Sequence, residues 1–234
     1  MKVAIMQPYL FPYIGYFQLI NAVDTFVFYD DVNYIKKGWI NRNRILSNNN
    51  EDYLFTVPLI EASQNKMINE IDVFTSEKWK IKFLKNIKVT YFKAPYFDSA
   101  FELITRVLNE KYKTISDLAI LSIIQVSKEL ELSTSFRKSS IDFFQTKELK
   151  GVERLLEICK IINAEVYINP IGGQELYDKE QFLNNGVDFF FLKSKNIQYK
   201  QFDNEYIPWL SIIDLLMFNS KEEIKSYLTN YTFL

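Results

Sequence analysis

The chain has 234 residues, 48% of them hydrophobic, and a net charge of -1 from 28 basic and 29 acidic side chains. This composition sustains a buried core and gives no global case for binding nucleic acid or an acidic membrane surface. No run of about 18 apolar residues and no basic-then-apolar leader is present, so we expect neither a membrane span nor a signal peptide. The single cysteine excludes an internal disulfide and suits a reducing compartment, so we expect a cytoplasmic protein.

The absence of histidine restricts the chemistry that is open to this chain. It excludes Ser-His-Asp and Cys-His arrangements and any imidazole ligand for zinc. Acid–base chemistry must therefore use Asp, Glu, Lys, Tyr or a group on the substrate. Cys159 shares a helical stripe with Leu155, Ile158 and Ile162, which favours a small core residue over a nucleophile.

The N-terminal residues predict a strand–helix–strand unit. Residues 1–5 and 25–29 are typical of buried strands, and residues 16–22 of the helix between them. About 30 residues is the size of a parallel crossover unit, so we predict that the two strands are parallel neighbours.

The rest of the chain also alternates predicted strands with predicted helices, and the helices are concentrated in its middle. Further strands are predicted at 53–58, 68–73, 165–169 and 187–192, a short strand with a polar turn at 135–140, and helices at 78–91, 101–109, 116–130, 147–163 and 209–217. Ser116 and Asp117 are candidate caps. The pattern predicts an α/β fold with a mainly parallel sheet, flanking helices and a helical middle insert or cap. We expect one domain over 1–234, within which about 78–134 could form a helical subdomain.

Polar and aromatic side chains cluster where the first two strands end, at the edge where parallel sheets bind ligands. Gln7 offers an amide for sugar or base recognition, or caps a turn. Asp30 and Asp31 could orient a hydroxyl or amine, act as a base, bind magnesium, or end a turn. The tyrosines at the same end could line a cleft or form a half-buried surface; they are Tyr9, Tyr13, Tyr16, Tyr29 and Tyr34.

The strongest single constellation follows the second strand, in residues 36–44. Its cations suit phosphate oxygens, its indole offers a stacking face, and its amides offer hydrogen bonds; the residues are Lys37, Trp39, Asn41, Arg42 and Asn43. A basic, solvated loop is the alternative. Asn169, Gly172 and Gly173 follow a later strand in a second ligand-approach loop, which is neither GxGxxG nor a P-loop.

We predict that these residues face one cleft. Its members are Gln7, Tyr16, Asp30, Asp31, Lys37, Trp39, Asn41, Arg42 and Asn43, with Asn169 and Gly172 at the rim. No metal ligand is assigned, and the residues identify no cofactor. Core packing is the better interpretation of Trp209.

Several motifs together resemble the WbqC-like protein family. They are Gln7-Pro8-Tyr9 with Pro12-Tyr13 and Gly15-Tyr16-Phe17, Asp30-Asp31-Val32 with Tyr34, Trp39-x-Asn41-Arg42-Asn43, Gly172-Gly173 with Tyr177, and Leu210-Ser211-Ile212-Ile213-Asp214. The resemblance covers nearly the whole chain. Tyr13 stands where members often carry Trp, and Ser220 where they carry Gly.

The resemblance implies a role in bacterial O-antigen or other surface-polysaccharide biosynthesis. Such pathways make nucleotide-linked deoxyamino sugars, and some of their products carry an amino-acyl group on the sugar nitrogen. The expected activity is therefore transfer of an acyl or amino-acyl group to that amine, from an activated donor such as aminoacyl-tRNA, an acyl-adenylate or an acyl carrier. Asp30, Asp31 or Lys37 would be catalytic, and the aromatic, amide and arginine side chains would bind the substrate, without a membrane partner.

Two other functional classes stay open. The opening layout resembles that of nucleotidyltransferases of the HIGH-motif kind, but those rely on histidines that this chain lacks. The third class is a non-catalytic sugar-nucleotide-binding protein of the same pathway. The oligomeric state is not predicted.

Overall fold

The computed structural model describes residues 1–49, 51–74, 77–203 and 205–234. The helices are α1 (Ile14–Asn21), α2 (Glu77–Tyr91), α3 (Phe97–Asn109), α4 (Ile115–Glu129), α5 (Ser139–Asp142), α6 (Gly151–Ile161), α7 (Lys179–Leu183), α8 (Ile212–Phe218) and α9 (Lys221–Tyr227). The strands are β1 (Lys2–Met6), β2 (Thr25–Phe28), β3 (Arg42–Leu46), β4 (Asp52–Thr56), β5 (Ser135–Lys138), β6 (Val166–Pro170), β7 (Asp188–Ser194) and β8 (Tyr231–Phe233). Short 3-10 turns cover Ile68–Glu70, Phe144–Thr146 and Ile171–Leu176.

The central sheet has six strands in the order β5-β2-β1-β6-β7-β8, and its pairings are parallel except for the last. Strands β1 and β2 are parallel neighbours, with Val3 opposite Thr25. This confirms the predicted crossover unit and the α/β class with a mainly parallel sheet.

The sheet is doubly wound. The chain adds β2 and then β5 on one side of β1, and returns to the other side of β1 for β6 and β7. The direction of winding therefore reverses between β1 and β6. In open α/β sheets, ligands bind outside the carboxyl ends of the strands at such a reversal.

Both faces of the sheet are covered, because successive apolar side chains along each strand point to opposite faces and pack against different helices. Ala4 and Phe28 pack into one hydrophobic cluster with α1, while Val3, Ile5 and Val27 pack into a second cluster on α6 and α7. Cys159 of α6 is fully buried in the second cluster, in agreement with the predicted core position.

The middle of the chain builds onto the first face. Helices α2, α3 and α4 contribute to the same hydrophobic cluster as α1. Strands β3 and β4 form an antiparallel hairpin outside the main sheet, so the predicted strand at 53–58 does not extend that sheet. Helix α2 packs on this hairpin, with the rings of Phe83 and Phe55 4.7 Å apart and the Trp79 indole N–H donating to the Thr56 carbonyl at 2.8 Å.

The predicted strand at 68–73 is wrong. Residues Ile68–Glu70 form a 3-10 turn, and Asp72 and Val73 pair only through isolated bridges. Ile68 and Ile71 are both fully buried, at the spacing of three residues that a 3-10 turn requires. The Glu70 carboxylate accepts the backbone N–H of Met67 at 2.9 Å and closes the turn.

Several predicted helix starts are displaced. The helix predicted at 101–109 begins at Phe97, and the helix predicted at 147–163 begins at Gly151. Thr114, not Ser116, caps α4, because its hydroxyl accepts the Asp117 N–H at 3.1 Å while the Asp117 carboxylate accepts the Thr114 N–H. Helix α8 begins at Ile212 and not at Trp209, because the Ser211 side chain caps it. Among the residues described, no helix has the length and apolarity that crossing a bilayer requires.

Candidate functional site: an aromatic pocket

An open cavity of about 240 Å³ lies where three distant chain segments meet. We call it the aromatic pocket, and its lining is Tyr9, Pro12, Tyr13, Trp39, Asn43, Arg44 and Trp209. The first three residues belong to the loop between β1 and α1. The next three belong to β3 and the turn before it, and Trp209 precedes α8.

Hydrogen bonds to one carbonyl group hold the three segments together. The Phe11 carbonyl accepts the Asn43 side-chain amide at 2.8 Å and the Ser211 hydroxyl at 2.6 Å. The Ser211 N–H donates to the Arg44 carbonyl at 2.8 Å, and the Ile212 N–H donates to the Pro12 carbonyl at 2.9 Å. The pocket is therefore framed by backbone groups whose positions are fixed on all three sides.

Two partly exposed indoles, Trp39 and Trp209, form part of the wall. Trp39 is 43% exposed and Trp209 46% exposed, which is high for side chains of this size. The Tyr13 ring packs edge-on against Trp209 with a centroid distance of 5.9 Å. The Arg42 guanidinium lies 5.8 Å from the Trp39 ring centroid. The prediction that Trp209 packs in the core is wrong. Trp209 lies just before α8 and has a left-handed φ of 60°, which turns its indole outward.

Glycine at position 15 permits the position of the Tyr13 ring. A Cβ on Gly15 would lie 2.4 Å from Tyr13 Cε2, so the ring lies directly against the start of α1. Burial raises the pKa of both Tyr9 and Tyr13, and for Tyr9 the neighbouring Tyr13 adds to the effect. Both phenols are therefore neutral near pH 7 and can donate hydrogen bonds.

Arg44 supplies the cation of the pocket. Its Nη1 pairs with Asp52 Oδ2 at 3.1 Å, and its Nη2 lies 3.5 Å from the carbonyl oxygens of Pro208 and Trp209. Its Nε is buried, and no partner for it is found among the described residues. A guanidinium with spare donors next to stacking faces suits a phosphate joined to a planar ring.

The other side chains of the 34–43 segment hold its shape. The Asn41 Oδ1 accepts the Tyr34 hydroxyl at 2.8 Å, and its Nδ2 donates to the Val57 carbonyl at 2.9 Å. Arg42 donates to the carbonyls of Gly38 and Lys37. The Lys37 side chain is exposed and does not line the pocket. Asn43 does line the pocket, but its Oδ1 and Nδ2 bind backbone groups.

The two predicted catalytic carboxylates lie in a separate group, which we call the Asp30–Arg154 cluster; it consists of Asp30, Asp31, Ser139, Ser140 and Arg154. Asp30 accepts both the N–H of Ser140, at 3.1 Å, and its hydroxyl, at 2.8 Å. Asp31 pairs with Arg154 at 2.6 Å, and the side chains of the pair are 9% and 3% exposed. The Ser139 hydroxyl lies within hydrogen-bonding distance of both carboxylates.

The cluster joins the ends of β2 and β5 to α6. Arg154 also donates to the Thr146 hydroxyl at 3.1 Å and lies over the Tyr29 ring at 5.0 Å. The polar groups of the Asp30–Arg154 cluster thus form hydrogen bonds mostly with one another. Within the described ranges, no group of three histidine, cysteine, aspartate or glutamate side chains is arranged to hold a metal ion.

The remaining predicted residues lie near the point where the sheet winding reverses. The buried Tyr16 donates its hydroxyl to the Gln7 carbonyl at 2.8 Å. Asn169 is buried at the end of β6, and a Cβ on Gly173 would lie 2.3 Å from its Nδ2. Gly172 is exposed, and a Cβ there would meet no described atom within 4 Å.

The structure thus brings four predicted residues into one pocket: Tyr9, Tyr13, Trp39 and Asn43. It does not place the predicted carboxylates or the residues of β6 there. Sequence reasoning missed Pro12, Arg44 and Trp209. Arg44 belongs to the same cationic segment as Lys37 and Arg42, so the sequence does point to it. Trp209 could not be found in this way, because its partners in the pocket are distant in sequence.

A buried acid, Asp214 of α8, lies at the centre of a hydrogen-bond network. Its carboxylate accepts the hydroxyls of Tyr91 at 2.8 Å and Tyr199 at 2.6 Å, and the Gln201 amide at 2.7 Å. Tyr91 in turn accepts the Leu46 N–H of β3 at 2.8 Å. Burial raises the pKa of Asp214 to about 6, against the lowering effect of these hydrogen bonds.

Comparisons with known proteins agree with the motifs that meet at the pocket. The WbqC-like protein family matches residues 7–226. The uncharacterized protein Rv1507c of Mycobacterium tuberculosis is 29% identical over 237 residues, which cover 97% of each chain. No solved structure matches this chain. The family match spans all three segments that build the aromatic pocket, and the chain therefore belongs to the WbqC-like protein family.

Proposed function

We propose that this protein transfers an acyl or amino-acyl group to the amine of a nucleotide-linked deoxyamino sugar, in bacterial surface-polysaccharide (O-antigen) biosynthesis in the cytoplasm. The observation that carries the proposal is the aromatic pocket. It combines two partly exposed indoles with the guanidinium of Arg44. Stacking faces suit a base or a sugar ring, and a guanidinium suits the diphosphate between them.

The residues around the pocket suggest how such a reaction would proceed. The amine nitrogen would attack the acyl carbonyl carbon, and the bond from that carbon to the donor's leaving atom would break. That atom is an oxygen in an aminoacyl-tRNA or acyl-adenylate and a sulfur in an acyl carrier, and the amine proton would pass to it. The chain has no histidine, and among the described residues the lining holds no carboxylate, so no side chain there is a ready base. The protein would then act chiefly by holding amine and donor together, which can contribute about 7–11 kcal/mol.

In this proposal the carboxylates of the Asp30–Arg154 cluster have a structural role and are not the catalytic base. The hydrogen-bonding capacity of Asp30 is directed at Ser139 and Ser140, and that of Asp31 at Arg154. We therefore expect Asp30→Asn to retain most of the turnover of a folded enzyme. A hundredfold loss of turnover at unchanged sugar-nucleotide affinity would instead restore Asp30 as the base.

Binding can be measured by fluorescence. Trp79→Phe leaves Trp39 and Trp209 as the two indoles of the chain, and both line the pocket. Titration with a thymidine-diphosphate amino sugar should change their emission. In the wild-type background, Trp39→Ala and Trp209→Ala should each weaken affinity about tenfold or more, since stacking is worth roughly 1–3 kcal/mol per ring. Phe144→Ala, which removes an exposed ring from outside the lining, is the matched control and should not change the affinity.

Turnover separates catalysis from binding. Mass spectrometry should show amine converted to amide when the sugar nucleotide is supplied with one of three donors: an aminoacyl-tRNA, an acyl-adenylate or an acyl carrier. A protein that binds the sugar nucleotide and consumes none of the donors would be a non-catalytic binding protein. That second candidate is favoured by one observation: in the part of the chain that the structure describes, no residue that lines the pocket carries a carboxylate.

A further inference from the structure

Helix α2 carries an unusual row of exposed cations. Between residues 77 and 93 the sequence has six lysines and one glutamate, although the whole chain is nearly neutral. Five of the lysines are exposed: Lys78, Lys82, Lys85, Lys88 and Lys93. Within the part of the chain that the structure describes, the ion pairs of this row involve only Lys80, which pairs with Glu77 at 3.3 Å.

Apolar side chains stand among these lysines on the outward face. Ile81 is 61%, Phe92 56% and Val89 47% exposed. Positions 78, 81, 82, 85, 88, 89 and 92 repeat every three or four residues, so they share one side of the helix. The opposite side packs on the core through Phe83, Ile87 and Tyr91. The outward face is thus both cationic and apolar along about 22 Å of a 15-residue helix.

We propose that this face of α2 docks the protein on an anionic lipid surface. Its lysines complement anionic headgroups, and Ile81, Val89 and Phe92 reach toward the acyl boundary, as in helices that lie in the membrane interface. A nucleic-acid backbone would match the lysines but would leave the two aliphatic side chains against phosphates. The composition of the whole chain predicts no membrane partner, because acidic residues elsewhere in the chain offset the positive charge of these lysines in the net charge.

The test uses the full chain and vesicles of phosphatidylcholine with or without phosphatidylglycerol. Flotation should show binding only to the vesicles that contain phosphatidylglycerol, and the binding should weaken as salt is raised. Lys82→Gln, Lys85→Gln and Lys88→Gln combined should weaken binding about a hundredfold. The matched control combines Lys147→Gln, Lys150→Gln and Lys160→Gln, three exposed lysines elsewhere, and should bind like the wild type.

The apolar part of the face is tested separately. Ile81→Ser combined with Phe92→Ser should weaken binding at least about tenfold at unchanged net charge. Circular dichroism checks that each variant is folded. The proposal is overturned if the wild type fails to float with anionic vesicles at low salt, or if the two lysine triples behave alike. It is also overturned if the Ile81 and Phe92 variant binds normally, or if the lysine row binds transfer RNA and not vesicles.

Discussion

The aromatic pocket and the Asp30–Arg154 cluster differ in how much bonding capacity they leave free. Both follow the carboxyl ends of neighbouring parallel strands, and both hold side chains of kinds that commonly bind ligands. In the pocket, the two indoles are 43% and 46% exposed, and the Arg44 guanidinium is held by one ion pair at 3.1 Å and two long contacts of 3.5 Å. In the cluster, carboxylates, hydroxyls and a guanidinium are directed at one another. Residue type therefore identifies candidates, and unused hydrogen-bonding and stacking capacity selects among them.

The largest expected effect tests whether the cluster is a structural element. Arg154→Met should lower the free energy of unfolding by about 3–5 kcal/mol, because it leaves the Asp31 carboxylate buried without its partner. Urea unfolding measures the change. Arg137→Met is the matched control: its pair with Asp142 is largely exposed, so the loss should stay below about 1 kcal/mol.

The same variant also tests the separation of the two regions. At a temperature where Arg154→Met is folded, its affinity for the sugar nucleotide should equal that of the wild type. A drop in affinity comparable to that of Trp39→Ala would place the cluster in the binding site.

The second prediction concerns Asp214, the buried acid of α8. The pKa of Asp214 is about 6 in the folded protein and near 3.8 when unfolded. Between these values the folded state binds more protons, so this group lowers the free energy of unfolding as the pH rises from about 4 to about 6. The whole change is at most about 3 kcal/mol.

Asp214→Asn removes this contribution. Urea unfolding at pH values from 4 to 7 should show the stability of the variant gaining on that of the wild type through the window from about 4 to about 6. The difference should stay constant at higher pH. Parallel curves for the two proteins would show that Asp214 is ionised in the folded state throughout, and would contradict the raised pKa.

The third prediction, with the smallest effect on stability, distinguishes the pocket from the loop after β6. Gly15→Ala should push the Tyr13 ring out of the wall, because the new Cβ would lie 2.4 Å from it. The free energy of unfolding should change by less than about 1 kcal/mol, since alanine favours the helix. Affinity for the sugar nucleotide should fall about tenfold.

Gly172→Ala is the matched control for this experiment. A Cβ at position 172 meets none of the described atoms within 4 Å, and the sequence predicts this glycine at the rim of a cleft. It should bind like the wild type. If Gly172→Ala weakens binding and Gly15→Ala does not, the ligand lies at the β6 loop.

The sequence predicted those features that depend on residues close together in the chain, and failed for those that depend on contacts between distant residues. The β1-α1-β2 crossover could be predicted because buried strands and their separation are local properties. The turn at Ile68–Glu70 was wrongly predicted as a strand, because Ile71 and Val73 alternate with a polar residue while Ile68 and Ile71 have the three-residue spacing of a 3-10 turn. The pocket depends on contacts such as Ser211 to Phe11, 200 residues apart, which no local pattern encodes.

The single cleft predicted from the sequence had a related weakness. Asp30 and Asn43 follow the same strand, but Asn43 turns to the Phe11 carbonyl while Asp30 turns to Ser140. The residue types suggested function at both places. Only the partners in three dimensions separate a side chain that is satisfied from one that is available.

The most direct test of the central claim is a crystal structure of the protein soaked with a thymidine-diphosphate amino sugar. We predict that a ring of the ligand lies between Trp39 and Trp209, with the diphosphate within hydrogen-bonding distance of Arg44. The sugar amine should lie in the open part of the cavity, accessible to a donor. A ligand bound at Asp30 and Ser140, with the aromatic pocket empty, would contradict the account.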